Sequence, residues 1–194
     1  DDRRFFTQGG VIRHSRHDLL PGSGVDLSRF AFDPLPIDRQ TDEITFLLVG
    51  RMLWDKGVGE FVEAARKIRQ THGNVRFCLL GALDTDNPGA ISHPQMGAWV
   101  REGAIEYLGY TDNVIEQISK ADCVVLPSAY PEGTPRTLLE AAAVGRPIIA
   151  TDAPGCRDTI DDGVNGYLCK LRDAADLQSK LEKVIALSPQ ARRS

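Results

Sequence analysis

Ile44-Thr-Phe-Leu-Leu-Val49-Gly50 is a short, almost wholly apolar run stopped by a glycine, and Val75-Arg-Phe-Cys-Leu-Leu80-Gly81 repeats the design. Between them, residues 60–70 place Phe61, Ala64, Ala65 and Ile68 on one face at helical spacing. A strand that is apolar along its length needs cover on both faces, which is the mark of a parallel sheet. The stretch from 44 to 81 therefore reads as strand, helix, strand, and its pattern decides how the rest is read.

The alternation continues toward the carboxyl terminus. Residues 95–101 read as a short helix leading into a third strand at 105–108, and 114–119 as a helix before a fourth strand, Cys123–Leu126, stopped by Pro127. A helix is expected over 134–144 with Gly145 as its stop. A fifth strand at 147–150, a sixth at 166–168 and a last helix at 174–187 complete the series. The fold class is α/β, a doubly wound parallel sheet of Rossmann-like type. In such folds ligands sit outside the carboxyl ends of the strands, so the loops after Val49, Leu80, Leu108 and Leu126 are the places to look. Toward the amino terminus the pattern lapses. Pro34 and Pro36 mark an irregular connector, taken as 21–43, and Asp1-Asp-Arg-Arg-Phe-Phe reads as mid-protein sequence.

With 194 residues, 42% apolar and 26% charged, the composition is that of an ordinary globular chain. A net charge of −4 argues against nucleic acid or an anionic membrane as a bulk electrostatic partner, so any basic site must be local. No apolar run approaches the roughly 18 residues that a membrane-spanning helix needs. Cys78, Cys123, Cys156 and Cys169 form no C-x-x-C pair, and they read as buried, reduced thiols of a cytosolic protein.

Several familiar motifs are absent or incomplete. Gly50-Arg-Met-Leu-Trp-Asp-Lys56-Gly57 has the lysine of a phosphate-binding P-loop but neither the earlier glycine nor the later hydroxyl. Gly57-Val-Gly59 lacks the third glycine of a dinucleotide fingerprint, where Val62 stands instead. Asp84-Thr-Asp86 has a D-x-D form, but Asn87-Pro88-Gly89 beside it makes a solvated turn the better reading. His14 and His17 have no third ligand at sensible spacing, so no metal site is expected.

One stretch has a coherent chemistry. Pro127-Ser-Ala-Tyr-Pro-Glu132-Gly133-Thr134-Pro135 links a strand end to a helix start, with Pro135 expected in the first helical turn. The amides around Arg136 to Leu138 would form an anion site aided by the helix dipole, with a diphosphate as the obvious ligand. Carboxylates repel phosphate, so Glu132 and Glu140 suit sugar hydroxyls, which donate strong hydrogen bonds to an ionised carboxylate. The plainer readings are a helix-terminal charge for Glu132 and a surface residue for Glu140. Ala141-Ala-Ala143 after Glu140 points to close packing, which would leave that carboxylate in need of a partner.

Glu132 to Glu140 has the E-x7-E form of retaining glycosyltransferases of the GT-B fold, and the sequence resembles family-4 members of that group. Pro21-Gly-Ser-Gly-Val-Asp26 resembles the segment before their second domain, and Val49-Gly50-Arg51 with Lys56-Gly57 their diphosphate clamp. Glu132-Gly-Thr-Pro135 resembles the donor loop, Gly145-Arg-Pro-Ile-Ile-Ala-Thr151 the strand after it, and Asp162-Gly-Val-Asn-Gly166 a late turn. The resemblance implies one half of a GT-B fold, with residues 1–20 the tail of a preceding acceptor domain and 44–194 the domain that binds nucleotide sugar.

It also implies roles. Arg51, Lys56 and Glu132 would be the catalytic set, the two cations stabilising the leaving diphosphate and Glu132 holding the donor sugar. Glu140 would bind the ribose, while Gly133, Thr134, Thr137, Leu138 and Gly50 would contribute to donor binding, and Tyr110 in the Gly109-Tyr110-Thr111 loop would meet the base. The position of Arg51 and Lys56 after the first strand agrees with that role, since arginine offers forked donors and lysine a compact charge. Their plainer reading is as solvated charges paired with Asp55.

The implied reaction moves a hexose or N-acetylhexosamine from a nucleotide sugar, UDP-linked, to a glycan or lipid-linked acceptor, with retention and without a required metal or other cofactor. The wording of residues 51–62 resembles bacterial enzymes of lipid-linked oligosaccharide and capsular polysaccharide synthesis. That implies a cytoplasmic protein at the inner face of the membrane, peripherally associated with it. The 194-residue chain alone is expected to bind nucleotide weakly and to transfer no sugar. A GT-B-shaped epimerase, a non-catalytic nucleotide-sugar sensor and a receiver-type interaction domain are the rival readings.

Overall fold

The computed structural model of the chain describes residues 7–10, 24–35, 42–84, 86–130, 133–188 and 190–192. Its centre is a six-stranded sheet, entirely parallel, in the order β3-β2-β1-β4-β5-β6. The strands are β1 (Ile44–Val49), β2 (Val75–Leu80), β3 (Glu106–Tyr107), β4 (Cys123–Leu126), β5 (Ile148–Thr151) and β6 (Gly166–Cys169). The helices are α1 (Val58–Arg69), α2 (His93–Arg101), α3 (Val114–Lys120), α4 (Arg136–Val144) and α5 (Ala174–Ala186). The doubly wound α/β class is the observed one.

Successive residues of a strand point to opposite faces, and here both faces are apolar. Phe46 and Leu48 of β1, Phe77 and Leu79 of β2 and Val125 of β4 meet Phe61, Ala65 and Ile68 of α1 and Leu177, Leu181 and Val184 of α5. Leu47 and Val49, Cys78 and Leu80, and Val124 and Leu126 turn the other way, onto Ile118 of α3 and Leu138, Ala141 and Val144 of α4. Each large apolar side chain fully buried in these layers contributes roughly 1.5–3 kcal/mol. The aromatic rings add order, with Phe46 stacked on Phe77 at 5.3 Å and Phe61 edge-on to Phe77 at 5.6 Å.

β1, β2 and β4 have the bounds read from sequence, and Gly145, left-handed at φ 81°, ends α4 as expected. The other elements differ from the sequence reading by one or two residues at one end or both, and four of these differences follow. α1 begins at Val58 because Gly57 takes a left-handed φ of 75° and releases the chain into the helix two residues earlier than periodicity suggested. α2 begins at His93, where the Ser92 hydroxyl accepts from Gln95 N at 3.3 Å. β3 is only two residues long. α4 begins at Arg136, and Pro135 is not in the first turn but the extended residue before it, at φ −66° and ψ 122°. A residue preceding proline is pushed away from helical ψ, which keeps Thr134 outside too.

All four cysteines are free and buried. Burial pushes the Cys78 thiol up to about 11 and that of Cys169 to about 12, so neither supplies a thiolate at neutral pH. No helix among the described residues is long and apolar enough to cross a membrane.

Candidate functional site

The strand order reverses direction between β1 and β4: β2 and β3 lie on one side, β5 and β6 on the other. That is the switch point at which a doubly wound sheet opens a crevice for ligands. Phe46 pairs with Cys123 and Leu47 with Val124, a register that brings Gly50 and Pro127 out at the same level. Of the four loops marked in the sequence, those after β1 and β4 flank this crevice.

The two loops are stitched together through one carbonyl. Asp55 O accepts from Ala129 N at 2.7 Å, from Tyr130 N at 3.0 Å and from the Ser128 hydroxyl at 3.2 Å. Gly57 makes the approach feasible, since a Cβ there would lie 2.2 Å from Pro127 O. Lys56 sits between these anchors, its Nζ 5.2 Å from the centre of the Tyr130 ring, and Ser128 is fully buried beneath. A second stitch joins β1 to β2. Gly50 N donates to Leu80 O at 3.0 Å, and a Cβ on Gly81 would come within 1.8 Å of Gly50 O. Gly81 N in turn donates to Gly109 O at 2.8 Å, so glycines join the carboxyl ends of the first three strands.

Arg51 follows Gly50 and remains half exposed, its Nη1 donating to Asp84 Oδ2 at 3.4 Å. The pairing of Arg51 and Lys56 with Asp55 weighed from sequence is not the arrangement found for Arg51, because the Asp55 carboxylate reaches Arg172 instead, at 3.4 Å. Asp84 is thereby engaged as a partner of arginine. Among the described residues, no group of three or more His, Cys, Asp or Glu could hold a metal ion. His14, His17, Glu132 and Pro131 lie outside the described residues, so the predicted position of Glu132 is not part of this geometry.

α4 leaves the crevice with Pro135 as its cap residue, which offers no capping side chain. The amides of Arg136 and Thr137 are among those a helix cannot satisfy internally. The amide of Leu138, expected to be available, already donates to Pro135 O at 3.1 Å, so the anion-facing set is smaller than the sequence suggested. Gly133 is exposed, with open space where a side chain would be, and Thr134 and Thr137 are partly exposed.

Glu140, one turn further, is only 9% exposed, which overturns its reading as a surface residue. Burial raises its carboxyl above the usual glutamate range, opposed by the charges of Arg136 and Arg29. Arg136 Nη2 lies 3.4 Å from its Oε1, the partner that burial demanded. Arg29 reaches across from the segment before β1 and donates to Asp112 O at 3.3 Å, held by a turn in which Asp26 Oδ1 accepts from Ser28 N and Oγ. Tyr110 is 69% exposed and donates to Asp112 Oδ1 at 2.5 Å.

Ser128, Tyr130 and Arg29 are residues that reasoning from sequence did not single out, whereas Asp55 was read there only as a charge partner of Arg51 and Lys56, and Asp84 only as part of a solvated turn. Tyr130 and Ser128 stand inside the quoted stretch from Pro127 to Pro135, but nothing local reveals a contact with a carbonyl about seventy residues earlier. A cavity of about 920 Å3 between α3 and the face of β1 and β2, lined by Thr45, Leu47, Cys78, Ile115 and Lys120, contains none of the expected site residues.

Comparison with known proteins agrees with the geometry. The profile described as glycosyl transferases group 1 matches residues 43–186. An N,N'-diacetylbacillosaminyl-diphospho-undecaprenol alpha-1,3-N-acetylgalactosaminyltransferase of Campylobacter jejuni is 29% identical over 185 residues, 90% of this chain and 46% of its own length. The chain thus spans about half of that relative. Among solved structures, a sucrose-phosphate synthase from Thermosynechococcus elongatus superposes with a TM-score of 0.79 at 24% identity, over 99% of this chain and 48% of the other. HepE of Anabaena, solved in complex with UDP and glucose, gives 0.70 at 20% identity over 88% of this chain and 48% of its own. The match from just before β1 to the end of α5 takes in the whole sheet and both stitched loops, and the chain belongs to the group 1 glycosyl transferases.

Proposed function

We propose that this chain is the nucleotide-sugar-binding half of a retaining glycosyltransferase, which moves a hexose or N-acetylhexosamine from a UDP-linked donor to a glycan or lipid-linked acceptor. The observation that carries the reading is the stitch at Asp55 O, which fixes Lys56 at the β1–β4 crevice beside the loop that leads to the start of α4. A cation and helix-terminal amides opening on one crevice suit a diphosphate. The HepE structure with UDP and glucose, and the Campylobacter relative's printed activity, favour a nucleotide sugar as the molecule that brings it.

In this reading Arg51 and Lys56 take up the charge that develops on the diphosphate as the sugar–phosphate bond breaks. Preorganised cations aimed at a developing charge are a large electrostatic contribution to catalysis, and here they take the place of a metal. Glu140, buried and therefore fixed, accepts from the ribose hydroxyls. Gly50, Gly133, Thr134, Thr137 and Leu138 shape the donor pocket, Tyr110 borders the base, and Glu132 holds the donor sugar. The acceptor is bound by a partner domain that precedes this one, and the complete protein works at the inner face of the membrane as a peripheral protein.

Calorimetric titration of the chain with UDP, GDP and ADP tests the reading. Weak but saturable binding that favours UDP is expected, and no heat with any of the three would overturn it. Product analysis of the longer protein with donor alone separates transfer from epimerisation, because only an epimerase releases an altered free sugar.

A further inference from the structure

The turn between β6 and α5 holds a strained residue where the fold does not require one. Among the described residues, Arg172 alone is a non-glycine with a left-handed φ, 53°. That conformation is strained for an L-residue, and glycine would adopt it freely. The turn is otherwise secured, since Lys170 N donates to Asp176 Oδ2 at 2.9 Å and Asp173 caps α5 by accepting from Asp176 N at 2.9 Å. What the arginine adds is its side chain, whose Nη2 donates to Asp55 Oδ1 at 3.4 Å, across from the β6 side of the sheet to the β1 loop. An exposed pair of this kind contributes little to stability, which at best offsets the strain. Stability therefore does not explain the arginine.

The position of Asp55 does. It precedes Lys56, and its carbonyl is pinned to the β4 loop, so its half-exposed carboxylate adds a negative charge to the loop that carries the cation of the crevice. We infer that Arg172 is a positioning residue for the donor diphosphate: it neutralises Asp55 and holds that carboxylate toward the β6 side, so that this charge does not oppose an anion in the crevice. The inference rests on the donor-binding reading above. It makes the β6–α5 turn a third loop of the site, joined through Asp55 to the loops of β1 and β4.

The test is titration of the whole 194-residue chain with UDP to millimolar concentration, followed by backbone amide shifts, beside thermal melts. Arg172→Ala should weaken UDP about three- to ten-fold at low salt, with the deficit shrinking as salt screens the uncompensated carboxylate. Arg172→Gly should bind UDP as poorly as Arg172→Ala while melting at or above the wild-type temperature, because it relieves the strain. In an Asp55→Asn background, Arg172→Ala should have no effect on UDP. A wild-type affinity in Arg172→Ala, or an equal loss with Asp55→Asn, overturns the inference alone. Failure of the wild-type chain to bind UDP overturns the donor reading and the inference with it.

Discussion

Phe46 and Asp55 belong to one short stretch of chain, the first in the middle of β1 and the second in the loop that leaves it. Phe46 is fully buried and stacks on Phe77, held by contacts that any well-shaped apolar neighbour could supply. Asp55 lies near the surface and secures its loop by a backbone carbonyl that takes three donors from the β4 loop. Its side chain, the part a sequence displays, serves a different partner, Arg172. The strands are thus specified by the kind of side chain present, and the crevice by backbone geometry and by what glycine permits. Substitutions in the two regions should consequently fail in different ways.

The largest effect is expected in the strand. Phe46→Ala should cost about 3–5 kcal/mol of stability, the range for truncating a buried aromatic, as measured by chemical denaturation. At the crevice, Gly57→Ala meets two penalties. The left-handed φ of 75° costs about 1–2 kcal/mol, and a Cβ 2.2 Å from Pro127 O forces the loops apart at roughly 1–3 kcal/mol more. UDP affinity should fall with it. Gly163→Ala is the control, with φ 83° but open space around it, so it should show the conformational cost alone. Equal losses from the two glycine variants would mean that the close approach of the β1 and β4 loops does not matter.

Arg51→Ala reverses the relation between stability and function. The side chain is 53% exposed and its ion pair with Asp84 is long, so melting should hardly change. UDP binding should weaken by about 1.5–3 kcal/mol, the worth of a charge-assisted hydrogen bond. An unchanged Kd in calorimetry would remove Arg51 from the site and leave the crevice cation to Lys56.

The same division governs how much could be read from the sequence. β1, β2 and β4 were legible to the residue because burial on both faces demands nearly continuous apolar runs, broken here only by Thr45 and Arg76, and such runs end abruptly at Gly50, Gly81 and Pro127. β3 was not, since only Glu106 and Tyr107 pair with β2 and neither is apolar core. Within the candidate site, Arg51 and Lys56 were legible as cations in the loop after β1, and the buried state of Glu140 in the middle of α4 followed from the alanines behind it. The Leu138 amide was misjudged because its bond to Pro135 O depends on the proline standing before the helix rather than in it. The Asp55 stitch and the Arg172 strut join residues far apart in the chain, and no local pattern encodes either.

Glu140 is where the two regions meet, an acidic residue proposed for the site and held inside the packing of α4, and its titration separates their demands. Burial raises its carboxyl above the ordinary glutamate value, with Arg136 and Arg29 opposing. An acid whose folded-state pKa lies above its unfolded value contributes stability that is fully present below the unfolded value. That contribution is lost as pH rises through the folded one. At neutral pH the ionised carboxylate is therefore a burden on the fold. Glu140→Gln, which imitates the protonated acid, should make the chain more stable than wild type at pH 7. The gap should close as pH falls into the ordinary glutamate range, where the wild-type carboxyl is protonated as well. UDP affinity at pH 7 should move the opposite way, weaker by about 1 kcal/mol, the difference between a charged and a neutral acceptor for the ribose hydroxyls. Denaturation at pH 7 and pH 4 together with one UDP titration checks both signs. If the variant were less stable at pH 7, the pair with Arg136 would outweigh the cost of burial, and Glu140 would be a structural residue before it was a ligand for sugar.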